Sequence, residues 1–227
     1  KKKFKKSSVF YKNIFLPKSK LNFSENLLSK LNHDKAVTFI SENGFRETRN
    51  WRELNRNVSK IIKFLKNIKI RKKDRVVAYM PNTIETLEAF IASVSLGAIW
   101  SSCSPDFGTK GVIERFSQIN PKVLFITNEY FYNGKRINIL ERIPEIIRKI
   151  PSIRYVIVTK YPGQKNIIKN LKFNKAKFFY WSKLMKLNFS NIKFSKFDFE
   201  HELAILYSSG TTGKPKCICH RNGGVLL

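Results

Sequence analysis

Cysteine, histidine and methionine are scarce in this sequence, and their scarcity excludes several classes of protein. The 227 residues include 3 Cys, 3 His and 2 Met. Three cysteines cannot build the dense disulfide framework of a small secreted domain, and so low a number fits a reducing compartment. The hydrophobic fraction of 42% is too high for a chain that is disordered throughout. We therefore expect a folded protein with a real core.

One local grouping, Cys217 and Cys219 followed by His220, suggests a metal. A closed zinc site needs four ligands at a recognisable spacing, and the other Cys and His residues form no second cluster in the sequence. Alternation along an extended chain would instead place the two cysteines on one face of a strand. We therefore predict no metal site and a strand that begins near Cys217.

Long apolar runs are also missing. The longest, Ala89 to Trp100, contains two serines and a glycine and is too short to span a bilayer. The lysine-rich start, Lys1 to Lys6, is followed by Tyr11-Lys12-Asn13 rather than by the apolar core of a signal peptide. We expect a cytoplasmic protein without a membrane span.

Acidic residues are few. The chain has 16 Asp and Glu against 44 Lys and Arg, a formal net charge of +28, which ordinarily suggests nucleic acid or an anionic surface as a partner. Here the lysines are spread along the chain among many Asn, Ile and Phe, a composition typical of A+T-rich coding sequences. No standard nucleic-acid-binding motif is visible. We predict no nucleic-acid partner, and a non-catalytic basic module that binds nucleic acid or an anionic surface is the alternative.

Apolar periodicity predicts an α/β fold. Residues 1–35 form a basic segment ahead of the main domain, 36–227, and residues 160–199 interrupt the pattern as a surface excursion with one strand-like stretch. The predicted elements are a hairpin of 36–40 and 45–48, a helix over 51–68, a strand over 75–80, a helix between Thr83 and Gly97, a strand over 98–101, a helix over 109–119, a strand over 123–127, a helix over 137–150 and a strand over 155–159. Such alternation predicts a doubly wound, mostly parallel sheet with helices on both faces.

A loop of glycines, hydroxyl residues and lysines follows the apolar run Leu203 to Leu206. Backbone N–H groups, hydroxyls and ammonium groups can converge there on one anion. Only two residues separate its glycines and a proline follows its first lysine, so it is not a Walker A loop. The candidate phosphate-binding residues are Ser208, Ser209, Gly210, Thr211, Thr212, Gly213, Lys214 and Lys216.

The stretch Tyr207 to Lys216 resembles the phosphate-binding signature of the adenylate-forming enzymes, which include the acyl-CoA synthetases. Thr48 to Leu54 and Asp74 to Asn82 resemble further elements of that family. Gly97 to Gly108 is similar to the acetoacetyl-CoA synthetase group within it. The resemblance implies that residues 36–227 are an incomplete N-terminal AMP-binding domain, part of the large N-terminal domain of such an enzyme.

The resemblance also implies a reaction. MgATP and acetoacetate would give an acyl-adenylate and pyrophosphate, and CoA would then displace AMP. A ligase for another short carboxylate, such as acetate or butyrate, is the alternative. Within the loop Lys216 matches the final lysine of the motif, whereas Lys214 could be an ordinary solvated charge. Lys135 and Arg136 are candidates for CoA phosphates, or for a plain exposed turn.

Trp100 to Asp106 could approach the acyl pocket or could be a buried strand end. In the family, the adenine-binding motif, the ribose-binding aspartate, the hinge and the small C-terminal domain with its adenylation lysine all come later in the chain. The sequence begins on Lys1 and ends at Leu227, so we expect a piece of a longer enzyme. It would contain no catalytic residue of its own and would depend on the missing C-terminal part.

Overall fold

The structure is a computed structural model that describes residues 4–9, 13–164, 176–208 and 213–227. Its helices are α1 (Phe23–Leu27), α2 (Trp51–Asn67), α3 (Ile84–Ser95), α4 (Thr109–Phe116), α5 (Ile143–Lys149), α6 (Trp181–Leu184) and α7 (Asn222–Leu226), with a short 3-10 helix at Leu140–Arg142. None of the helices in these ranges combines the length and the apolar character needed to cross a bilayer.

The strands pair into one large sheet and four two-stranded ribbons within the described ranges. They are β1 (Phe4–Lys5), β2 (Ile14–Phe15), β3 (Lys20–Leu21), β4 (Lys35–Ile40), β5 (Arg46–Asn50), β6 (Arg75–Tyr79), β7 (Ile99–Cys103), β8 (Val123–Thr127), β9 (Glu129–Tyr132), β10 (Lys135–Asn138), β11 (Tyr155–Thr159), β12 (Lys177–Tyr180), β13 (Phe197–Asp198), β14 (Glu202–Tyr207) and β15 (Cys217–Arg221).

The large sheet has the strand order β12-β11-β8-β6-β7-β14-β15. Its first six strands run parallel to their neighbours, and β15 runs antiparallel to β14. The carboxyl ends of the six parallel strands therefore lie along one edge, where ligands bind in sheets of this kind. The predicted, mostly parallel sheet is confirmed.

Helices cover both faces of this sheet. Along β6, Val76 and Ala78 pack in one buried cluster with residues of α2 and α3, whereas Val77 and Tyr79 pack in a second cluster with residues of α4 and α5. Successive residues of a strand point to opposite faces, so burial of both sets requires a layer on each side. The doubly wound architecture predicted from the sequence is confirmed.

Helix α2 forms where its sequence predicts it. A capping box closes its first turn: the Asn50 side chain accepts from the Glu53 backbone at 2.8 Å, and the Glu53 carboxylate accepts from the Asn50 backbone at 3.0 Å. The apolar residues at helical spacing are all buried: Leu54, Val58, Ile61, Ile62 and Leu65. The start and the inward face of the predicted helix are confirmed, and the helix ends at Asn67, one residue earlier than predicted.

The predicted helix over 137–150 begins too early. Residues Lys135–Asn138 form β10, which pairs with β9 in a hairpin, and α5 starts only at Ile143. The hairpin turns at Asn133 and Gly134, whose φ angles of 49° and 70° match the two-residue turn that favours Asn-Gly. The turn expected for Asn133 to Arg136 is therefore present at its first two residues, whereas Lys135 and Arg136 belong to β10 and the apolar residues at helical spacing that follow start as a strand.

Residues 176–199 are also more ordered than the predicted surface excursion. Strand β12 extends the sheet beside β11, and Leu184 is 1% exposed. The Ser59 hydroxyl on α2 donates to the Ser190 carbonyl at 2.6 Å, and Ile192 and Phe194 pack against the same cluster as α2. This segment covers one helix layer and contributes Leu184 to its core, while most of the residues from 182 to 196 are exposed.

The basic N-terminal segment contacts the main domain through α1. The buried Asn22 amide donates to the Ser95 carbonyl at 3.0 Å and to the Ser195 carbonyl at 2.8 Å, and the Ser24 hydroxyl donates to the Ile91 carbonyl at 2.7 Å. These bonds hold the end of the segment against α3. A domain boundary at residue 35 stays a prediction.

Gly97 lies in the short connection between α3 and β7. We expect Gly97→Ala to lower the free energy of unfolding by about 2–4 kcal/mol. Its φ is +71°, and an added Cβ would lie 2.6 Å from the Phe197 ring. Gly44→Ala is the control, because its φ is +80° but no atom of the described residues lies within 4 Å of the added Cβ. Strain alone costs about 1 kcal/mol, so equal losses in urea unfolding of the two variants would contradict the predicted clash.

Candidate functional site

The predicted phosphate-binding loop joins β14 to β15 as the connection of an antiparallel hairpin. The last register pair before the loop is Tyr207 with Cys217, and the Ser208 backbone then donates to the Lys216 carbonyl at 3.1 Å. The loop therefore leaves the carboxyl end of β14, at the edge where the other parallel strands end. Ser209, Gly210, Thr211 and Thr212 lie outside the described residues.

The described part of the loop presents its two lysines to solvent. Lys214 and Lys216 are exposed, whereas Pro215 between them is buried. Gly213 has a φ of +91°, and no atom of the described residues lies within 4 Å of the position that a Cβ would occupy on it. Two ammonium groups beside a glycine backbone suit a polyphosphate anion.

Neighbouring elements hold the strand that leads into the loop. The Ser101 hydroxyl on β7 donates to the Ile205 carbonyl at 2.7 Å, and the Tyr207 hydroxyl donates to the Arg115 carbonyl at 3.1 Å. Burial raises the pKa of Tyr207, which keeps the phenol protonated as a donor. Ser101 and Tyr207 therefore tie β14 to β7 and α4.

Gln118, just beyond α4, contacts the far side of the loop. Its amide nitrogen donates to the Pro215 carbonyl at 3.0 Å, and its amide oxygen accepts from the Cys217 thiol at 3.6 Å. We did not predict Arg115 or Gln118 as loop contacts. The sequence holds no signal for these contacts, because Arg115 precedes Tyr207 by 92 residues and Gln118 precedes Pro215 by 97 residues. They meet the loop only through the order of the strands in the sheet.

The candidate CoA residues Lys135 and Arg136 lie on the β9–β10 hairpin. This hairpin is a separate two-stranded ribbon, whereas the loop joins β14 to β15 in the large sheet. Lys135 is exposed. Arg136 forms an ion pair with Glu129, whose side chain is only 6% exposed, so its guanidinium neutralises a buried carboxylate. This pairing favours a structural role for Arg136.

A cavity of about 210 Å³ opens at the carboxyl ends of β6 and β7. Met80, Pro81, Asn82, Thr86, Ser102, Cys103, Ser104, Pro105, Asp106, Tyr130, Phe131 and Tyr132 line it. Strands β6 and β8, which are adjacent, lead to connections on opposite sides of the sheet, so the cavity lies beside a switch point of the chain topology. Ser102 to Asp106 thus line this cavity. Trp100 is 5% exposed and packs in the core, but together with Ser102 it also lines a separate cavity of about 560 Å³.

The wall of this cavity is braced by hydrogen bonds. The Tyr79 hydroxyl donates to the Phe107 carbonyl at 2.6 Å, and the Arg142 guanidinium donates to the Tyr79 oxygen at 2.5 Å and to the Pro105 carbonyl at 2.9 Å. Burial raises the pKa of Tyr79, against the effect of Arg142, so the phenol keeps its proton. These contacts hold the Pro105–Phe107 turn that precedes α4.

The cysteines show no catalytic or metal-binding arrangement in the described ranges. Burial raises the pKa of Cys103 to about 12, so this thiol is not a thiolate at neutral pH. Cys217 and Cys219 lie on β15 and are exposed, which confirms the predicted strand. Among the described residues no three His, Cys, Asp or Glu side chains gather to hold a metal ion.

Comparison with known proteins identifies the family. The sequence model of the family described as "AMP-binding enzyme" matches residues 29–226. The acetoacetyl-CoA synthetase of Gallus gallus is 38% identical over 213 residues, which are 92% of this chain and 32% of that protein. The malonamoyl-CoA synthetase vrtB of Penicillium aethiopicum is 36% identical over 218 residues, 92% of this chain and 30% of that protein.

A solved structure shares the fold. The acetoacetyl-CoA synthetase from Streptomyces lividans superposes with a TM-score of 0.84 at 31% identity, covering 94% of this chain and 32% of that one. The chain thus spans about a third of the length of the curated relatives that it matches. Since the family match runs over almost the whole sequence, the chain belongs to the AMP-binding enzyme family.

Proposed function

We propose that this chain is the phosphate-binding part of an AMP-forming ligase that joins a short carboxylic acid to CoA. The observation that carries the proposal is the hairpin loop after β14, which presents exposed Lys214 and Lys216 beside Gly213, whose added Cβ would meet no atom of the described residues within 4 Å. The loop residues Ser208, Ser209, Gly210, Thr211, Thr212 and Gly213 would bind the β- and γ-phosphates of ATP through backbone N–H groups and hydroxyls.

The chemistry explains why such a loop is needed. A carboxylate oxygen attacks the α-phosphorus of ATP, the bond to pyrophosphate breaks, and an acyl-adenylate forms. The CoA sulfur then attacks the acyl carbon, loses its proton and displaces AMP. The first step brings two anions together, so positive groups must neutralise the phosphates and hold the pyrophosphate in line with the attacking oxygen. Lys216 and Lys214 are the groups that we assign to this task.

The preferred acid is acetoacetate, on the strength of the names of the first relatives. The malonamoyl-CoA synthetase is nearly as similar over the same region, so another short acid is the alternative. Both relatives extend well beyond the part that this chain covers, and residues there would choose the acid. A magnesium ion would enter with ATP as the counter-ion of its phosphates, and Lys135 is the better of the two CoA candidates because Arg136 pairs with Glu129.

Carboxylate-dependent exchange of pyrophosphate into ATP, measured without CoA on the complete protein, tests the proposal. We expect exchange with acetoacetate to exceed exchange with acetate, butyrate or 3-hydroxybutyrate. Exchange requires reversible formation of the acyl-adenylate, and an acid that fits the site poorly forms little adenylate. Exchange that favours another acid would keep the mechanism and change the substrate. No exchange with any acid would contradict the ligase proposal.

The alternative of another class, a basic module that binds nucleic acid or an anionic surface by charge alone, makes a different prediction. Its affinity for a random-sequence DNA duplex would fall steeply with added salt, because binding releases counterions. MgATP would not displace the DNA duplex by binding at a specific site. Measuring duplex binding between about 50 and 200 mM salt, with and without MgATP, separates this alternative from the ligase.

A further inference from the structure

Helix α4 and the turn after it contact both sides of the loop, which we divide into an upstream arm, Tyr207–Ser208, and a downstream arm, 213–217. The upstream arm is held by the Tyr207 hydroxyl, which donates to the Arg115 carbonyl at 3.1 Å. The Arg115 guanidinium also lies 6.0 Å from the centre of the Tyr207 ring. The C-terminal end of α4 therefore holds Tyr207, the last residue of β14 before the loop.

The downstream arm depends on the side chain of Gln118. The amide nitrogen donates to the Glu114 carbonyl at 2.9 Å and to the Pro215 carbonyl at 3.0 Å, while the amide oxygen accepts from the Cys217 thiol. Carbonyl oxygens only accept hydrogen bonds, so both nitrogen partners require the same orientation of the amide. The hydrogen bond to the Glu114 carbonyl on α4 fixes this orientation of the Gln118 amide. The same amide nitrogen is then correctly oriented to donate to the Pro215 carbonyl in the loop.

The other supports of the downstream arm in the described part of the chain are the bond from the Ser208 backbone to the Lys216 carbonyl, the pairing of Cys217 with Tyr207, and the burial of Pro215. Strand β15 is the edge of the large sheet, and all five of its residues are exposed. Pro215 has no backbone N–H, so its carbonyl is its only main-chain hydrogen-bonding group. Gln118 is bonded to that carbonyl, between the two lysines that we assign to the phosphates.

We propose that Gln118 is a positioning residue, which holds the downstream arm so that Lys214 and Lys216 are ordered before ATP binds. This inference rests on the proposed phosphate-binding role of the loop. A loop that must be ordered by its ligand spends part of the binding free energy on that ordering, so a pre-ordered loop binds more tightly. Loss of the bond from the Gln118 amide to the Pro215 carbonyl, which we call the tether, would weaken ATP binding without changing the reacting atoms.

The test compares Gln118→Met and Gln118→Glu with the parent and with Ser117→Ala in the complete protein. Methionine has a similar length but no amide, and glutamate cannot donate and adds a negative charge. Ser117 is the adjacent exposed residue. We expect Gln118→Met to raise the Kd for MgATP, measured by calorimetry, and the KM for ATP in pyrophosphate exchange roughly fivefold, which is the loss of one hydrogen bond.

The pattern across parameters distinguishes positioning from a general structural role. The maximal exchange rate and the KM for the carboxylate should change by less than about twofold, because only uniform binding of ATP is lost. Gln118→Glu should raise the Kd for MgATP further, because its carboxylate repels the phosphates. Added salt screens this repulsion, so the Kd values of Gln118→Glu and Gln118→Met should become more similar as the salt concentration rises. Ser117→Ala should match the parent.

The outcomes separate this inference from the function on which it rests. An unchanged Kd for MgATP in Gln118→Met, or an equal loss in every kinetic parameter and in thermal stability, would overturn the positioning role. If the parent bound MgATP but showed no exchange, the ligase proposal would fail, and a raised Kd in Gln118→Met would still support the tether. A parent that bound no MgATP would overturn both.

Discussion

Lys216→Ala is expected to lower kcat/KM for ATP in carboxylate-dependent pyrophosphate exchange by about 100-fold, the loss typical for removal of one group that stabilises developing charge. The Lys216 carbonyl accepts the backbone bond from Ser208 that closes the loop, and the Lys216 side chain is exposed. We expect it to neutralise charge on the leaving pyrophosphate, so the maximal rate should fall as well as the affinity for ATP. Initial rates of exchange at varied ATP concentration measure both.

Two variants control this experiment. Lys149→Ala removes an exposed lysine from α5 and should leave exchange unchanged, so it accounts for the lowered net charge of a strongly basic chain. Lys214→Ala should have a smaller effect than Lys216→Ala, since only Lys216 matches the last lysine of the motif. Equal activity of Lys216→Ala and Lys149→Ala, with both folded by circular dichroism, would refute the assignment of Lys216.

Gly210→Val extends the same assignment to the part of the loop outside the described residues. A β-branched side chain restricts the backbone and occupies space that a ligand would need beside the main chain. We therefore predict impaired adenylation in a protein that still folds. Exchange rates and a thermal melt of this variant, recorded beside Lys216→Ala, would show whether both changes act at one site.

The free energy of unfolding is expected to fall by roughly 3–5 kcal/mol between about pH 4.5 and pH 8 because of one buried carboxyl group, Glu88. Glu88 lies on α3 and is 1% exposed, and it accepts a hydrogen bond from the Asn57 amide on α2 at 2.8 Å. Burial raises its pKa to about 8, against the effect of the Asn57 bond, with smaller effects from the charges of Glu85, Arg49 and Glu47.

The direction follows from the number of protons bound in each state. Between pH 4.5 and the pKa of about 8, the folded protein keeps the Glu88 proton while the unfolded chain has released it. The folded state therefore binds more protons, and its stability falls as the pH rises through this window. Glu85 has a raised pKa for the same reason, burial, so it adds to the slope and has to be separated from Glu88 by mutation.

Glu88→Gln isolates this contribution. The glutamine oxygen can still accept from Asn57, and no charge has to be buried at any pH, so the variant should gain stability over the parent at pH 8 and little at pH 5. Thermal unfolding midpoints across this range provide the measurement, with Glu145→Gln, an exposed position on α5, as control. A difference between Glu88→Gln and the parent that did not vary with pH would contradict the prediction.

Many local elements were predictable from the sequence because their signals are local. The Asn50–Glu53 capping box and five apolar residues at helical spacing identify α2. Short apolar runs identify β6, β8 and β11, which are buried on both faces. The start of the helix predicted over 137–150 was wrong, because the apolar residues after the Asn133–Gly134 turn first return as the second strand of a hairpin.

The fold class, the presence of a loop of glycines, hydroxyl residues and lysines that we predict to bind phosphate, and the place of this loop after a strand were determined by the sequence alone, because strand periodicity and loop composition are properties of neighbouring residues. The tertiary structure decided what surrounds that loop. The antiparallel return of β15, the bonds from Arg115 and Gln118 to the loop, and the burial of Glu88 all depend on residues far apart in the chain. Such contacts follow from strand order and helix packing, which no local pattern encodes.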